Sequence, residues 1–330
     1  MKPLELPPNQ FHRFYRGGAR IDALRGAPAG ADGRPEDWVG STATAWGEDS
    51  EGLSRLADGR LLRDLVEAEP EAMLGHEHVE RWGADPALLV KLLDAGERLP
   101  VHFHPGRAFA REHLGLRYGK TEAWIILEAE PDAAIHVGLR EPLDAETVRA
   151  WVRAQNAEEM LAAMHRVPVA AGDAVLVPAG TLHAIGAGIL LLELQEPTDL
   201  SVLLEWKRFG VDSGAEHLGL GWEPALSALD RGAADTTELL SPGDRLLPEA
   251  AAPYFRAGRV GAGAQLDASF AILVGIQGDG TLRTEHGDEL AVGRGSTVLV
   301  PYAAGRTTLA GEVTAIRCRP PAPTTEEGKW

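Results

Sequence analysis

The chain has almost no cysteine, since Cys318 is the only one among 330 residues. A disulfide framework and a zinc site built from thiolates are therefore excluded. Long apolar runs are also missing, and none approaches the roughly 20 residues that a transmembrane helix needs. Residues 1–8 lack the apolar core of a signal peptide, so we expect a cytoplasmic protein without a membrane partner.

Positive charge is the second shortage. The chain has 32 Lys and Arg against 49 Asp and Glu, a formal net charge of −17. This balance excludes nucleic acid as a partner, because the overall field repels a polyanion. The expected partner is a small molecule, and any anionic group on it must be bound by local cations.

Four side chains with metal-ligand chemistry follow one another in an ordered pattern. His102 and His104 are two residues apart, so in a strand both face the same side. Glu122 opens an apolar run that predicts a neighbouring strand, and His183 follows the sequence Pro-Ala-Gly-Thr-Leu. Three imidazoles and one carboxylate suit a divalent transition metal with room left for a substrate or water. The pattern predicts a metalloenzyme.

An eight-residue pattern occurs twice and indicates the fold. Residues 171–178 read Ala-Gly-Asp-Ala-Val-Leu-Val-Pro, and residues 294–301, at an offset of 123, read Arg-Gly-Ser-Thr-Val-Leu-Val-Pro. A glycine turn, a short strand and a proline are typical of antiparallel jelly-roll barrels of the cupin kind. We therefore predict a mainly β protein with two cupin-type jelly-roll barrels and helical insertions.

The second copy of the pattern lacks the metal ligands. Arg306 stands at the position of His183, and no His-x-His sequence precedes it. A different pair, His76 and His78, lies in a polar stretch, and we expect no metal there.

These patterns predict a division of the chain into four parts. Residues 1–205 form an N-terminal region and the metal-bearing barrel, with a helical insertion at about 144–166 that Asp144 caps. Residues 206–249 form a helical and loop linker, residues 250–320 a second, metal-free barrel, and residues 321–330 a disordered tail.

The motifs resemble the type I mannose-6-phosphate isomerases, in their short bacterial form, which belong to the cupin superfamily. The similarity runs from about residue 35 to the C-terminus. It is strongest at residues 88–95 leading to 102–105, at 119–124, at 177–185 and at 192–195. The order and spacing of these segments carry the resemblance.

The resemblance implies a ligand set and one divalent metal ion. In the family, zinc is held by the Gln and His of a Gln-x-His-Pro motif, the Glu of Gly-Lys-x-Glu and the His of Pro-x-Gly-x-x-His. His104, Glu122 and His183 match the last three, whereas His102 stands where the family has Gln. Zinc is the expected ion, and the additional imidazole leaves manganese, iron and nickel open.

The resemblance also implies the reaction. Members of the family are aldose–ketose isomerases that interconvert mannose 6-phosphate and fructose 6-phosphate through a cis-enediol. Lys120 and Glu193 match the family's proton-transfer and positioning residues, and Lys91 matches a substrate-binding cation. A lysine beside a divalent cation has its ammonium form disfavoured and can exchange protons near neutral pH.

The expected phosphate contacts depart from the family. Pro100 replaces a serine, and Leu203 replaces an arginine. Other cations could substitute, and the candidates are Arg107, Arg111, Arg117 and Lys207. Three alternatives stay open: isomerisation of an unphosphorylated sugar such as mannose or lyxose, a cupin oxygenase with iron in the same three-His, one-Glu site, and a non-catalytic sugar-binding or regulatory cupin. The sequence does not indicate an oligomeric state.

Overall fold

A computed structural model describes residues 1–28, 30, 33–241 and 245–323 of the chain. Most of the predicted tail, residues 324–330, lies outside the described residues. None of the described helices is long and apolar enough to cross a membrane.

Short strands make up most of the regular structure. In chain order they are β1 (Leu4–Glu5), β2 (Gln10–Phe11), β3 (Glu36–Val39), β4 (Leu89–Ala95), β5 (His102–Phe103), β6 (Glu122–Ala129), β7 (Ala134–Leu139), β8 (Met164–Pro168), β9 (Ala174–Val177), β10 (His183–Ile185), β11 (Ile189–Gln195), β12 (Val202–Leu203), β13 (Arg256–Val260), β14 (Gln265–Leu266), β15 (Ala271–Gln277), β16 (Asp279–Thr284), β17 (Glu289–Gly293), β18 (Thr297–Val300), β19 (Thr307–Gly311) and β20 (Thr314–Arg319).

The helices are short and lie between the strands. They are α1 (Ala19–Leu24), α2 (Leu62–Ala68), α3 (Pro70–Leu74), α4 (His76–Trp82), α5 (Arg107–Phe109), α6 (Ala145–Ala154), α7 (Ala157–Ala163), α8 (Trp222–Leu226) and α9 (Thr236–Leu239). The Asp144 carboxylate accepts a hydrogen bond from the Thr147 N–H at 2.8 Å, so it caps α6 as its position predicts.

The strands form two pairs of antiparallel sheets. The first pair consists of a six-stranded sheet, β2-β3-β4-β11-β6-β9, and a five-stranded sheet, β12-β5-β10-β7-β8. Apolar side chains of both sheets, including Leu93, Ile126, Val137 and Ile185, share one buried cluster. These two sheets therefore pack face to face, and we call them the first sandwich.

The second pair repeats this arrangement. A five-stranded sheet, β1-β18-β15-β20-β13, packs against a four-stranded sheet, β14-β19-β16-β17, through residues such as Leu273, Val298 and Leu309. We call this pair the second sandwich. The prediction of a mainly β fold with helical insertions is confirmed, although hydrogen bonds among the described strands do not close either pair into one continuous barrel.

The two sandwiches meet through the outer faces of their larger sheets. Val90 and Leu192 of the first sandwich share a cluster with Ile272 and Ile316 of the second, and α2 and α3 complete it. Strands β4 and β11 are thus covered on both faces and are buried along their whole length. This burial explains their nearly continuous apolar sequences.

The strand connections bear on the predicted division, which stays a prediction. β1 pairs with β18, so the first residues of the chain join the second sandwich. Side chains from the predicted linker, among them Trp206, Leu218 and Leu229, pack on the five-stranded sheet of the first sandwich. That segment covers one face of the sheet.

Candidate active site

Three histidines converge on the inner side of the first sandwich. His102 of β5 and His183 of β10 are register partners, and His104 follows β5 directly. The ring centroids are 4.1 Å apart for His102 and His183, 4.9 Å for His102 and His104, and 4.8 Å for His104 and His183. All three are buried, and one ring nitrogen of each lies within 4.8 Å of the others.

The same tautomer is fixed on all three rings. Each Nδ1 lies at hydrogen-bonding distance from a main-chain carbonyl oxygen, and because a carbonyl only accepts, Nδ1 must carry the proton. Each Nε2 then keeps a free lone pair, as in histidines that ligate a metal. The pairs are His102 with Pro100 at 2.8 Å, His104 with Leu200 at 2.7 Å, and His183 with Thr181 at 2.8 Å.

Glu122 completes the group from β6. Its carboxylate oxygens lie 3.1 Å from His104 Nε2 and 3.3 Å from His183 Nε2, and Trp124 Nε1 donates to it at 3.1 Å. His183 Nε2 is buried without a hydrogen bond to any described residue. Such orphaned polar atoms are rare in proteins.

The charges of these groups fit a divalent cation. Burial lowers the pKa of His104 to about 3, helped by the charge of Lys120. Burial likewise lowers the pKa of His102. The imidazoles of His102 and His104 are therefore neutral, which is the form that binds a metal. The donor set and the orphaned His183 nitrogen fit one divalent ion.

Lys120 lies against this cluster. Its Nζ is 3.0 Å from Glu122 Oε2 and 3.2 Å from His104 Nε2. Burial opposes its charge, but the neighbouring carboxylates, Glu122 first, outweigh burial and raise its pKa. Gly119 makes this placement possible, since a Cβ there would lie 2.6 Å from the Pro105 carbonyl oxygen.

Glu193 lies beside Lys120 on β11. Its Oε1 is 3.9 Å from Lys120 Nζ, and it is the register partner of Lys91 on β4 and of Trp124 on β6. Burial, followed by the charge of Glu122, raises the pKa of Glu193. A buried carboxyl with a raised pKa can both accept and return a proton.

Lys91 is also buried, with its Nζ among three carboxylates. The distances are 3.4 Å to Glu36, 3.8 Å to Asp199 and 3.9 Å to Glu193. The ammonium group also lies 4.4 Å from the centre of the Trp38 ring. The predicted substrate-binding cation therefore already has close carboxylate partners.

Sequence reasoning missed Arg13, which precedes the region of family resemblance. Its guanidinium donates to Glu36 at 3.1 Å and to both carboxylate oxygens of Asp199 at 3.2 and 3.1 Å. The signal in the sequence was Glu36 itself, a charged residue at the start of β3. A lone arginine in the N-terminal segment carries no pattern that links it to the site.

A cavity opens beside these side chains. Its wall includes Arg13, Lys91, Lys120, Glu122 and Glu193, and also Pro100 and Leu203. The four candidate cations Arg107, Arg111, Arg117 and Lys207 are not among the described residues that line it. The expectation that they replace the missing phosphate contacts is therefore not supported. The cavity holds about 40 Å³, so a hexose needs the side chains at its rim to move.

The other His-x-His pair lies elsewhere. His76 and His78 are on α4, where side chains two residues apart point in different directions. His76 is exposed beside Glu71 and Glu80, whereas His78 Nε2 lies 2.7 Å from the Asp85 carbonyl oxygen.

Part of the chain is similar in sequence to known proteins. The mannose-6-phosphate isomerase of Streptococcus mutans is 34% identical over 202 residues, which cover 60% of this chain and 58% of that protein. The chain is therefore similar in sequence to mannose-6-phosphate isomerases. It aligns with between 36% and 59% of the length of the curated relatives that it matches. No family model matches it.

Solved structures share the fold. The crystal structure of mannose 6-phosphate isomerase from Bacillus subtilis superposes with a TM-score of 0.75 at 24% identity, covering 97% of this chain and all of that one. A mannose 6-phosphate isomerase bound with zinc and yttrium gives a TM-score of 0.73 at 16% identity, covering 98% and 100% of the two chains. Both sandwiches therefore belong to the common fold of these isomerases.

Proposed function

We propose that this protein is a metal-dependent isomerase that interconverts mannose 6-phosphate and fructose 6-phosphate through a cis-enediol. The observation that carries the proposal is the convergence of three histidine side chains and Glu122 beside Lys120 and Glu193, in a chain that is similar to mannose-6-phosphate isomerases. Relatives named for this activity support the same reaction and substrate.

The metal would be held by His102, His104, Glu122 and His183. Zinc is the proposed ion, since a solved relative with the same fold binds it. A bound divalent ion supplies Lewis-acid polarisation of the sugar oxygens next to the carbons that exchange a proton.

The proton would move between C1 and C2 of the sugar with the help of Glu193 and Lys120. The Glu193 carboxylate is the proposed base, because burial and Glu122 raise its pKa. The Lys120 ammonium, 3.9 Å from Glu193, would donate a hydrogen bond to the sugar oxygen that gains negative charge. Acid–base groups placed in this way contribute about 10² to 10⁴ to the rate.

Arg13 is the proposed contact for the phosphate end of the substrate. It is the arginine among the described residues that line the cavity, and 15% of its side chain is exposed there. Pro100 and Leu203, which also line the cavity, offer no cation. A charge-assisted hydrogen bond to a phosphate oxygen adds about 1.5–3 kcal/mol of binding free energy.

The decisive experiment compares substrates on the zinc-loaded protein. Isomerisation of mannose 6-phosphate, free mannose and free lyxose is followed, and kcat/KM is expected to be highest for mannose 6-phosphate. A higher kcat/KM for either free sugar would contradict the phosphorylated substrate but keep the reaction. Oxygen consumption by the Fe(II)-loaded protein, without isomerisation by the zinc-loaded protein, would contradict both.

Arg13→Lys serves as the matched variant in this experiment. It keeps a positive charge next to Glu36 and Asp199 but removes the planar, two-pronged donor. We expect a raised KM for mannose 6-phosphate and an unchanged kcat/KM for any free sugar that turns over slowly. An equal loss on both substrates would assign Arg13 a structural role only.

A further inference from the structure

Three arginines cluster at one end of the second sandwich. Arg256 on β13 is the register partner of Arg319 on β20, and Arg317 lies two residues before Arg319, on the same face of the sheet. Among the described residues, the carboxylate within ion-pairing distance is that of Asp267, 2.5 Å from Arg317 and 3.3 Å from Arg319. Two positive charges thus remain in excess, in a chain of net charge −17.

Strand register relates this cluster to the active site. Val175 and Val298 are equivalent in the sequence repeat, and their register partners are Trp124 and Leu273. The next strands place Glu193 opposite Trp124 and Arg317 opposite Leu273.

The correspondence between the two sandwiches continues two residues further along this strand and into the strand beside it. Arg319 occupies the position of Gln195, and Arg256 occupies that of Leu89. The arginine cluster therefore occupies, in the second sandwich, the position that Glu193 and its neighbours occupy in the first.

Arg256 is the least compensated member of the cluster. Its Nε donates to the Pro320 carbonyl oxygen at 2.9 Å, and no described carboxylate forms an ion pair with it. Burial, and then the charge of Arg319, lowers its pKa to about 10. The Nε of Arg319 is buried without a hydrogen-bond partner among the described residues. Both guanidinium groups would gain from a nearby anion.

A cavity of about 420 Å³ lies against Arg256. Its wall also includes Ser269, whose hydroxyl accepts a hydrogen bond from Arg317 at 2.7 Å, together with Asp267, His76 and Tyr302. The volume is within the range of small-molecule sites. Arginine is the side chain best suited to hold a phosphate oxygen pair.

We propose that this cavity is a second ligand site, which binds a phosphate group, either free or as the monoester of a small sugar, with Arg256 as its main contact. Arg317 and Arg319 are already bridged by Asp267 and supply the positive field behind it. The site is independent of the proposed isomerase activity, since it shares no residue with the active-site cavity.

The test is titration calorimetry on the full-length, zinc-loaded protein with inorganic phosphate, mannose 6-phosphate and mannose. Arg256→Gln is expected to weaken phosphate binding about tenfold or more, as the loss of a charge-assisted hydrogen bond predicts. The matched control is Arg259→Gln, which removes an arginine from the opposite face of the same strand. It should bind phosphate like the wild type.

Further arms separate the outcomes. Binding of inorganic phosphate assigns the site to the free anion, whereas binding of mannose 6-phosphate alone, lost in Arg256→Gln, assigns it to a phosphosugar. His183→Ala should leave this binding intact and so separates it from the active site. Ser269→Asp adds a negative charge to the cavity wall and should abolish phosphate binding. This variant provides the test if Arg256→Gln does not fold. Equal affinity in the wild type, Arg256→Gln and Ser269→Asp, or no phosphate-dependent heat in the wild type, would overturn the proposal.

Discussion

The larger sheets of the two sandwiches share a four-strand order, but they carry different charged and metal-binding side chains at equivalent positions. The order β4-β11-β6-β9 in the first corresponds to β13-β20-β15-β18 in the second. At equivalent positions the first has Glu193 and His183, whereas the second has Arg317 and Arg306. The shared fold is set by apolar positions such as those of β9 and β18, which are buried throughout. The two copies therefore differ in chemistry at a few positions within a shared fold.

The difference also appears in how charge is buried. The first sandwich places Lys91 and Glu36 at a few per cent exposure, with several charged partners each. The second sandwich has mostly apolar side chains inside, with its arginines near one end. A buried charge network costs stability unless each member is paired. Among the described residues, the first sandwich therefore buries the larger network of charged side chains.

The largest difference in metal content and activity is expected between substitutions of the equivalent residues His183 and Arg306. His183→Ala should lose its metal and reduce kcat by more than about 100-fold, since even partners of metal ligands cost 10–100-fold when removed. Metal content by elemental analysis and isomerase kinetics measure both effects. Arg306→Ala is the control, because this side chain is 80% exposed beside Glu285. If His183→Ala kept both its metal and its activity, the proposed functional difference between the two sandwiches would be wrong.

Substitution of Lys120 tests whether isomerase activity needs more than the four proposed metal ligands. Lys120→Ala should keep the metal, because no ligand is removed, but lower kcat by about 10² to 10⁴ as for other acid–base residues. The metal-to-protein ratio and kcat are measured on the same preparation. Full activity in this variant would exclude Lys120 from proton transfer or positioning.

Removing the metal should destabilise the first sandwich. An ion present at about 1,000 times its dissociation constant stabilises the folded state by about 4 kcal/mol. We expect a chelator to lower the Tm of the wild type clearly and that of His183→Ala little. An equal decrease in both proteins would mean that the ion acts elsewhere.

The sequence could predict the scaffold and the ligand candidates because both leave short-range patterns. The His-x-His spacing, the strand that begins at Glu122 and the repeat at β9 and β18 are readable from neighbouring residues. The repeat also indicated that the second copy lacks the histidines. Mainly β architecture follows from these patterns, and the structure confirms it.

The charged network around Lys91 could not be predicted in the same way. Arg13 and Asp199 are 186 residues apart, and only the pairing of β2, β3 and β4 brings Arg13 to the cavity. The position of the candidate phosphate cations could not be predicted for the same reason, since residues such as Arg111 and Lys207 are close to the motifs in sequence but exposed in the fold. Nothing in the local sequence distinguishes an exposed arginine from one that lines a cavity.

The smallest expected contrast is in the response to acid. Burial disfavours the charge of Glu36, but Arg13 and Lys91 outweigh burial and hold its pKa well below the usual range. The folded state therefore binds this proton less tightly than the unfolded state, whose pKa is about 4.3. The stability that Glu36 contributes is complete above that pKa and is lost as the pH falls through it toward the folded pKa.

Glu36→Gln should therefore flatten the dependence of unfolding free energy on pH below about pH 5, where the carboxylate starts to titrate in the unfolded state. At neutral pH it should cost about 3 kcal/mol, because Arg13 and Lys91 lose a buried partner. Asp267→Asn is the counterpart in the second sandwich, where arginines also lower the pKa against burial but the carboxylate is largely exposed. Its effect on the acid limb should be smaller, since solvent screens exposed pairs. Urea unfolding from pH 3 to 7 measures both, and equal slopes for the two variants would show that the copies bury charge alike.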